Sequence, residues 1–185
     1  MATESTRIIL VGAGGVGKTS ILERYVSDTF TEEGEYSTKD ENKQKAVKID
    51  DKELLLDIWA VVDETQCYTT MRSEYLRKGM GYVCIYSITS ISSFESIEDK
   101  IQQIYRLADD ETFNKIIIVG NQCDLEAERQ VSYEEGEKFA KEKKLLFFES
   151  SAKNNINIEQ IFTTLVQVIQ GTFTIPIEKK KCTIA

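Results

Sequence analysis

Gly12-Ala13-Gly14-Gly15-Val16-Gly17, a six-residue stretch with four glycines, runs directly into Lys18-Thr19. The run matches GxxxxGK[ST], and it sits between the apolar segment Ile8–Val11 and an amphipathic segment carrying Ile21, Leu22 and Tyr25. A phosphate-cradling loop needs that placement, with a strand before it and a helix after it. Glycines let successive backbone N–H groups turn toward a pyrophosphate, and the positive end of the following helix favours the same anion. The pattern therefore points to phosphate binding by Gly14, Gly15, Val16, Gly17, Lys18, Thr19 and Ser20. Lys18 supplies a point charge for the outer phosphates, and the Thr19 hydroxyl is a candidate magnesium ligand.

The rest of the chain alternates short apolar runs with segments of helical period. Strands are predicted over Arg7–Val11, Lys43–Ile49, Leu54–Trp59, Tyr82–Ser87, Ile116–Asn121 and Leu145–Glu149. Several are nearly continuous hydrophobic runs, as parallel strands covered on both faces should be. Asp50-Asp51 reads as a hairpin turn, which makes one edge strand antiparallel. Ser92-Ser93-Phe94-Glu95 reads as a capping box opening a helix whose Phe94, Ile97, Ile101, Ile104 and Leu107 share a face. Ser132 with Glu135 opens another helix, which buries Phe139 and Ala140. The last carries Ile158, Ile161, Phe162, Leu165 and Ile169 and stops near Gly171, ahead of the only proline, Pro176. The expectation is one α/β domain over residues 1–171 and a flexible tail over 172–185.

Composition removes whole classes of chemistry. The chain has 185 residues and no histidine, so Ser-His-Asp triads, Cys-His nucleophiles and His-bearing zinc sites are excluded. A formal net charge of −8 argues against nucleic acid as a partner, because a phosphate backbone wants a basic stripe. Cys67, Cys84, Cys123 and Cys182 share no CxxC spacing and read as reduced thiols. No apolar run approaches membrane-spanning length, and Met1–Ser5 lacks the features of a signal peptide. Synthesis and folding in the cytosol are expected.

The base is addressed by Asn121-Gln122-Cys123-Asp124, which closes the strand predicted from Ile116. A carboxylate at Asp124 accepts two hydrogen bonds, from the ring N–H and the exocyclic amine of guanine. Adenine offers no such pair. A second loop, Ser151-Ala152-Lys153, follows the last strand, where a backbone N–H can reach the guanine carbonyl oxygen.

Taken together, these motifs resemble the Ras family of small GTPases, from about Arg7 to Gly171 and again at the extreme C-terminus. Leu56-Asp57-Ile58-Trp59, Met71-Arg72, Ser93-Phe94-Glu95 and Glu149-Ser150-Ser151-Ala152-Lys153 add to the likeness, in the family's order. The resemblance implies a P-loop NTPase fold, with a six-stranded, mostly parallel sheet, one antiparallel edge strand and five flanking helices. It also implies GTP or GDP as ligand, Mg2+ as cofactor, and two switch segments that sense the terminal phosphate. Phe30 matches the family's aromatic residue near the base, and a partly buried core ring is the equal alternative. Implied partners are effectors at residues 34–43 and the second switch, an exchange factor and a GTPase-activating protein, around a monomer.

The same comparison exposes departures. The family has lysine where Gln122 stands, so loss of that charge predicts a modest loss of nucleotide affinity. Its motif Asp-Thr-Ala-Gly-Gln aligns with Ala60-Val61-Val62-Asp63-Glu64, followed by Thr65-Gln66. Ala60 lacks the carboxylate that would fix magnesium's water shell. Asp63 replaces a glycine whose amide meets the terminal phosphate. Glu64 takes the place of the water-positioning glutamine, and Gln66 stands two residues further on. Lys18, Glu64 and Gln66 are the candidate catalytic residues, and slow hydrolysis is expected. Asp63 or Glu64 swinging to the metal, with Gln66 reaching the water, is the alternative. In the first switch, counting back from Asp57 makes Thr38 the second magnesium ligand and a contact of the nucleotide; counting forward from Lys18 favours Ser37.

The chain ends Lys179-Lys180-Lys181-Cys182-Thr183-Ile184-Ala185. A cysteine three residues from a terminal alanine is a prenylation box, with alanine favouring farnesyl on Cys182. One lipid holds weakly, and the three lysines supply a second attraction of about 1 kcal/mol each near an anionic leaflet. The expected location is the cytoplasmic face of a membrane, foremost the plasma membrane. Two function classes follow. One is a membrane-tethered guanine-nucleotide switch with slow turnover, and the other a pseudo-GTPase interaction module motivated by Ala60, Asp63 and Gln122. An ATP-using P-loop kinase is disfavoured by Asp124.

Overall fold

The structure is a computed structural model that describes residues 5–31, 39–62, 74, 76–108 and 113–173. In chain order the elements are β1 (Ser5–Val11), α1 (Lys18–Ser27), β2 (Glu41–Ile49), β3 (Lys52–Ala60), β4 (Gly81–Ser87), α2 (Ile91–Glu95), α3 (Ile97–Ala108), β5 (Ile116–Asn121), α4 (Tyr133–Glu142), β6 (Leu146–Glu149) and α5 (Ile158–Gln170). A short 3-10 turn spans Glu126–Glu128.

The strands form one six-stranded sheet in the order β2-β3-β1-β4-β5-β6. Only β2 runs antiparallel to its neighbour, through the hairpin read at Asp50-Asp51. Both turn residues adopt positive φ, 49° and 62°, the mirror-image turn whose twist suits paired strands. Every residue of β4 and β5 is buried, which accounts for their unbroken apolar sequences. At the β2 edge, burial alternates with the pleat, and Asn42, Gln44, Ala46 and Lys48 form the exposed face.

Period-2 alternation sends side chains to two cores. Ile8, Leu10, Leu56, Ile58, Val83 and Ile85 pack with α1 and α5. Ile9, Tyr82, Cys84, Tyr86, Ile116 and Ile118 pack with Ile97, Ile101 and Ile104 of α3 and Ala140 of α4. In the first core, Tyr25 of α1 stacks on Phe162 of α5, with ring centroids 3.9 Å apart. Burial pushes the Cys84 thiol up to about 12, so it is inert as a nucleophile. Cys84 and Cys123 are buried with no disulfide, and Cys67 and Cys182 lie outside the described residues. No helix among the described residues is long and apolar enough to cross a membrane.

The helix starts test the sequence reading most sharply. Ser132 and Glu135 form the reciprocal capping box expected of α4, and Ser132's donors hold the Glu135 carboxyl below its ordinary range. The box read at Ser92–Glu95 is corrected. Ser90 is the cap: it lies in extended backbone and its Oγ accepts from the Ser93 N–H at 3.3 Å. Ser92 is already helical and cannot serve. The single helix expected there is also broken at Ser96, whose hydroxyl donates to the Ser93 carbonyl at 2.8 Å, a bond that competes with the helical ladder. Phe139, expected to be buried, is half-buried and packs edge-on against Phe94. Helix α5 ends as read, on Gly171 at φ 70°.

Phe162 is fully buried between α5 and the sheet, so truncation leaves a cavity that the stacked Tyr25 cannot fill. Phe162→Ala is expected to destabilise the protein by about 3–5 kcal/mol in urea unfolding.

Candidate functional site

Because β1, β3, β4, β5 and β6 run in parallel, the segments that follow them emerge at one edge of the sheet. Beyond β1 the chain first adds strands on one side and then on the other. That reversal opens a crevice at the strands' carboxyl ends, where ligands of such sheets bind. The loop 12–17 occupies it.

Gly12, Gly15 and Gly17 of the loop adopt positive φ, and at two of them a side chain would also collide with its surroundings. Gly12 has φ 154°, and a Cβ there would stand 2.1 Å from the Ile85 carbonyl oxygen. Gly17 has φ 89°, and its Cβ would meet the Asn121 side-chain nitrogen at 2.4 Å. Lys18 folds back over the loop, with Nζ donating to the carbonyls of Gly12 at 2.8 Å and Ala13 at 2.7 Å. Helix α1 has no side-chain cap and no acidic residue in its first turn. By contrast α3 begins with Glu98 and Asp99, and α4 with Glu134 and Glu135. Only α1 of these three leaves its positive end to an outside anion. Thr19 and Ser20 are half-buried in that first turn, while Gly14 and Gly15 are exposed. Val16 buries its side chain in the core, so its part in the site is through the backbone.

The base side is wired to this loop. Asn121 is 1% exposed at the end of β5; its Nδ2 donates to the Val16 carbonyl at 2.8 Å, and its Oδ1 accepts from Ser150 Oγ at 3.0 Å. Gln122 takes φ 66°, accepts from the Ser87 hydroxyl, and reaches the Gly15 carbonyl with its amide at 3.4 Å. The shorter side chain thus still touches the phosphate loop. Ser151 Oγ donates to Asp124 Oδ1 at 2.6 Å and accepts from the Asn154 N–H at 3.0 Å. That fixes the carboxylate and leaves acceptor capacity for a ligand. Ala152 is buried beside it, Lys153 is exposed, and Phe30 is half-buried against the first core, 6.0 Å from the Arg24 guanidinium carbon.

Sequence reasoning missed the pair that anchors this loop. Glu149, whose side chain is 2% exposed, receives Arg129 at 2.6 Å and 3.0 Å. The Glu149 carboxylate beside it drives the Arg129 guanidinium above its already high range. Asn157 also donates to the Glu149 carbonyl at 2.7 Å. A basic residue twenty positions from an acidic one carries no local signal, so only the fold reveals the pair.

The magnesium side is less complete. Ala60 ends β3 on the face shared with α1, 3% exposed in an apolar cluster, and offers no ligand atom. No group of three metal-binding side chains occurs among the described residues. Thr19, in the first turn of α1, is a residue whose hydroxyl would hold a nucleotide-bound metal, and Ala60 at the end of β3 offers no ligand atom. The backbone N–H of Val62 donates to Asp40 Oδ1 at 2.7 Å, so the described ends of the two switch segments meet there. Ser37, Thr38, Asp63, Glu64, Gln66 and Cys182 lie outside the described residues.

Arg129→Ala would leave a buried carboxylate unpaired directly before the Ser150–Lys153 loop. A loss of about 3–5 kcal/mol in chemical unfolding is expected.

Comparison with known proteins agrees with this geometry. The Ras family profile matches residues 7–171. Ras-like protein 1 of Saccharomyces cerevisiae is 38% identical over 164 residues, which are 89% of this chain and 52% of the yeast protein. The chain thus spans about half the length of that curated relative. Its six-stranded mixed sheet, with one antiparallel edge and the phosphate loop after β1, is that of a Ras-type domain. The chain belongs to the Ras family of small GTPases.

Proposed function

We propose that this protein is a guanine-nucleotide switch of the Ras type that binds GTP and GDP with magnesium and hydrolyses GTP slowly at a membrane surface. The observation that carries the reading is the buried Asn121 amide, which joins the phosphate loop to the strand that presents Asp124. A diphosphate lies along Gly14–Thr19, and the guanine ring reaches Asp124 and the Ala152 N–H. Lys18 exchanges its bonds with the Gly12 and Ala13 carbonyls for the outer phosphates. Gln122 packs against the nucleotide with less reach than lysine and no charge.

Thr19, with Thr38 or Ser37, would hold magnesium, which when bound neutralises charge on the outer phosphates. Ala60 offers nothing to its water shell, and Glu64 stands where glutamine would position the attacking water. Phosphoryl transfer depends almost wholly on positioning and charge stabilisation, so these changes slow it. The pseudo-GTPase reading remains the second one, favoured by Ala60's apolar setting. The switch acts as a monomer with its own effectors, read through residues 34–43 and the second switch, and with an exchange factor and a GTPase-activating protein. Farnesylated Cys182 with Lys179–Lys181 tethers it to the cytoplasmic face of a membrane.

Calorimetry of the purified chain is expected to show GDP and GTP binding and no comparable binding of ADP. Absence of any guanine nucleotide binding by folded protein would overturn the reading. Single-turnover hydrolysis is expected below about 3 × 10⁻⁴ per second, the intrinsic scale of Ras. A rate at or above it would reject the slow-turnover reading, and a bound nucleotide that never turns over would favour the second. Cys182→Ser is expected to shift the protein from membrane to soluble fractions in cells; unchanged attachment would reject the lipid anchor.

A further inference from the structure

Arg24 lies on α1, six residues after Lys18 and a hundred before Asp124, and no motif marks it. In the fold its side chain is 14% exposed and makes an unusual set of contacts. Nε donates to the Ala152 carbonyl at 2.7 Å, and one terminal nitrogen donates to the Lys153 carbonyl at 3.1 Å. The other terminal nitrogen donates to the Asp28 carbonyl at 2.9 Å and to its carboxylate at 3.1 Å. The guanidinium also lies 6.0 Å from the Phe30 ring centroid, within reach of a cation–π attraction. One planar fork therefore joins three parts of the base pocket: the loop after β6, the residue that ends α1, and the aromatic side chain beside it.

The consequence concerns the Ala152 N–H. On its N-terminal side the loop is held by Ser151, which bonds Asp124 and Asn154 and pairs with Ile156. On its C-terminal side the two carbonyls that Arg24 holds fix the peptide planes after Ala152. The Ala152 N–H shares its peptide plane with the Ser151 carbonyl, which accepts from the Ile156 N–H at 2.9 Å. By holding the next two carbonyls, Arg24 fixes where that turn stands against α1 before a base arrives. We infer that Arg24 is a positioning residue for guanine recognition, holding the Ala152 N–H toward the base carbonyl oxygen and Phe30 toward the base. The inference rests on the guanine-binding reading above. Lysine cannot replace the fork, because a single ammonium does not present donors in fixed directions to carbonyls on separate segments.

The test compares wild-type, Arg24→Ala and Arg24→Lys full-length proteins for release of fluorescent GDP and for competition by GDP and 6-thio-GDP. The thio analogue keeps the donors that face Asp124 and weakens only the acceptor that faces Ala152. Arg24→Ala is expected to release GDP on the order of tenfold faster, the scale of one charge-assisted hydrogen bond. Its preference for GDP over 6-thio-GDP should fall toward parity, with Arg24→Lys between it and wild type. Faster release with an unchanged preference would reduce Arg24 to a structural role and overturn the inference. So would unchanged release in a wild type that binds GDP. A wild type that binds no GDP removes the guanine reading itself, a separate result. If Arg24→Ala does not fold, Arg24→Lys carries the same comparison, and an unchanged preference in it overturns the inference.

Discussion

One buried amide organises the working edge of this protein. Asn121 has a donor and an acceptor that water cannot reach, and each is satisfied by a different loop, Val16 on one side and Ser150 on the other. An unpaired amide at that depth would cost about 1–3 kcal/mol for each lost partner, so the two loops are held in one register. The glycine at position 17 is part of the same constraint, since any Cβ there would strike the amide nitrogen. Loop geometry, strand end and base loop thus form one unit.

Around that unit the two ends of the candidate nucleotide site are built to different standards. The base end is closely tied. Ser151 orients Asp124, Arg129 and Asn157 anchor Glu149, and Arg24 draws the loop toward α1. At the phosphate end the loop and Lys18 are in place, but β3 finishes on a methyl group in an apolar cluster. Asp40 and the Val62 N–H bind each other there, so a carboxylate of the first switch segment is used on protein backbone. Among the described residues, side-chain hydrogen bonds tie down the Asp124 end, whereas the end of β3 offers no ligand atom.

Much of the fold could be read directly, because its determinants are local. Unbroken apolar runs at β4 and β5, the 3.6-residue period of α5 and its terminal Gly171 are properties of neighbouring residues. The aspartate pair at the hairpin also declared itself, since those side chains tolerate positive φ. The cap at α2 is not legible in the sequence, because Ser90, Ser92 and Ser93 all have the right chemistry. Which of them is extended depends on how the chain leaves β4.

By itself, the sequence determined the glycine-rich loop after β1, the order of strands and helices, and the candidate residues for a nucleotide site. Each of these follows from residue type at a fixed spacing. The tertiary structure alone decided which residues hold that site rigid. Arg24 reaches Ala152, Arg129 reaches Glu149, and Ser87 reaches Gln122 across intervals of 128, 20 and 35 residues. Hydrogen bonds across such distances exist only once the parallel sheet has brought the carboxyl ends of its strands together, and no local pattern in the chain encodes them.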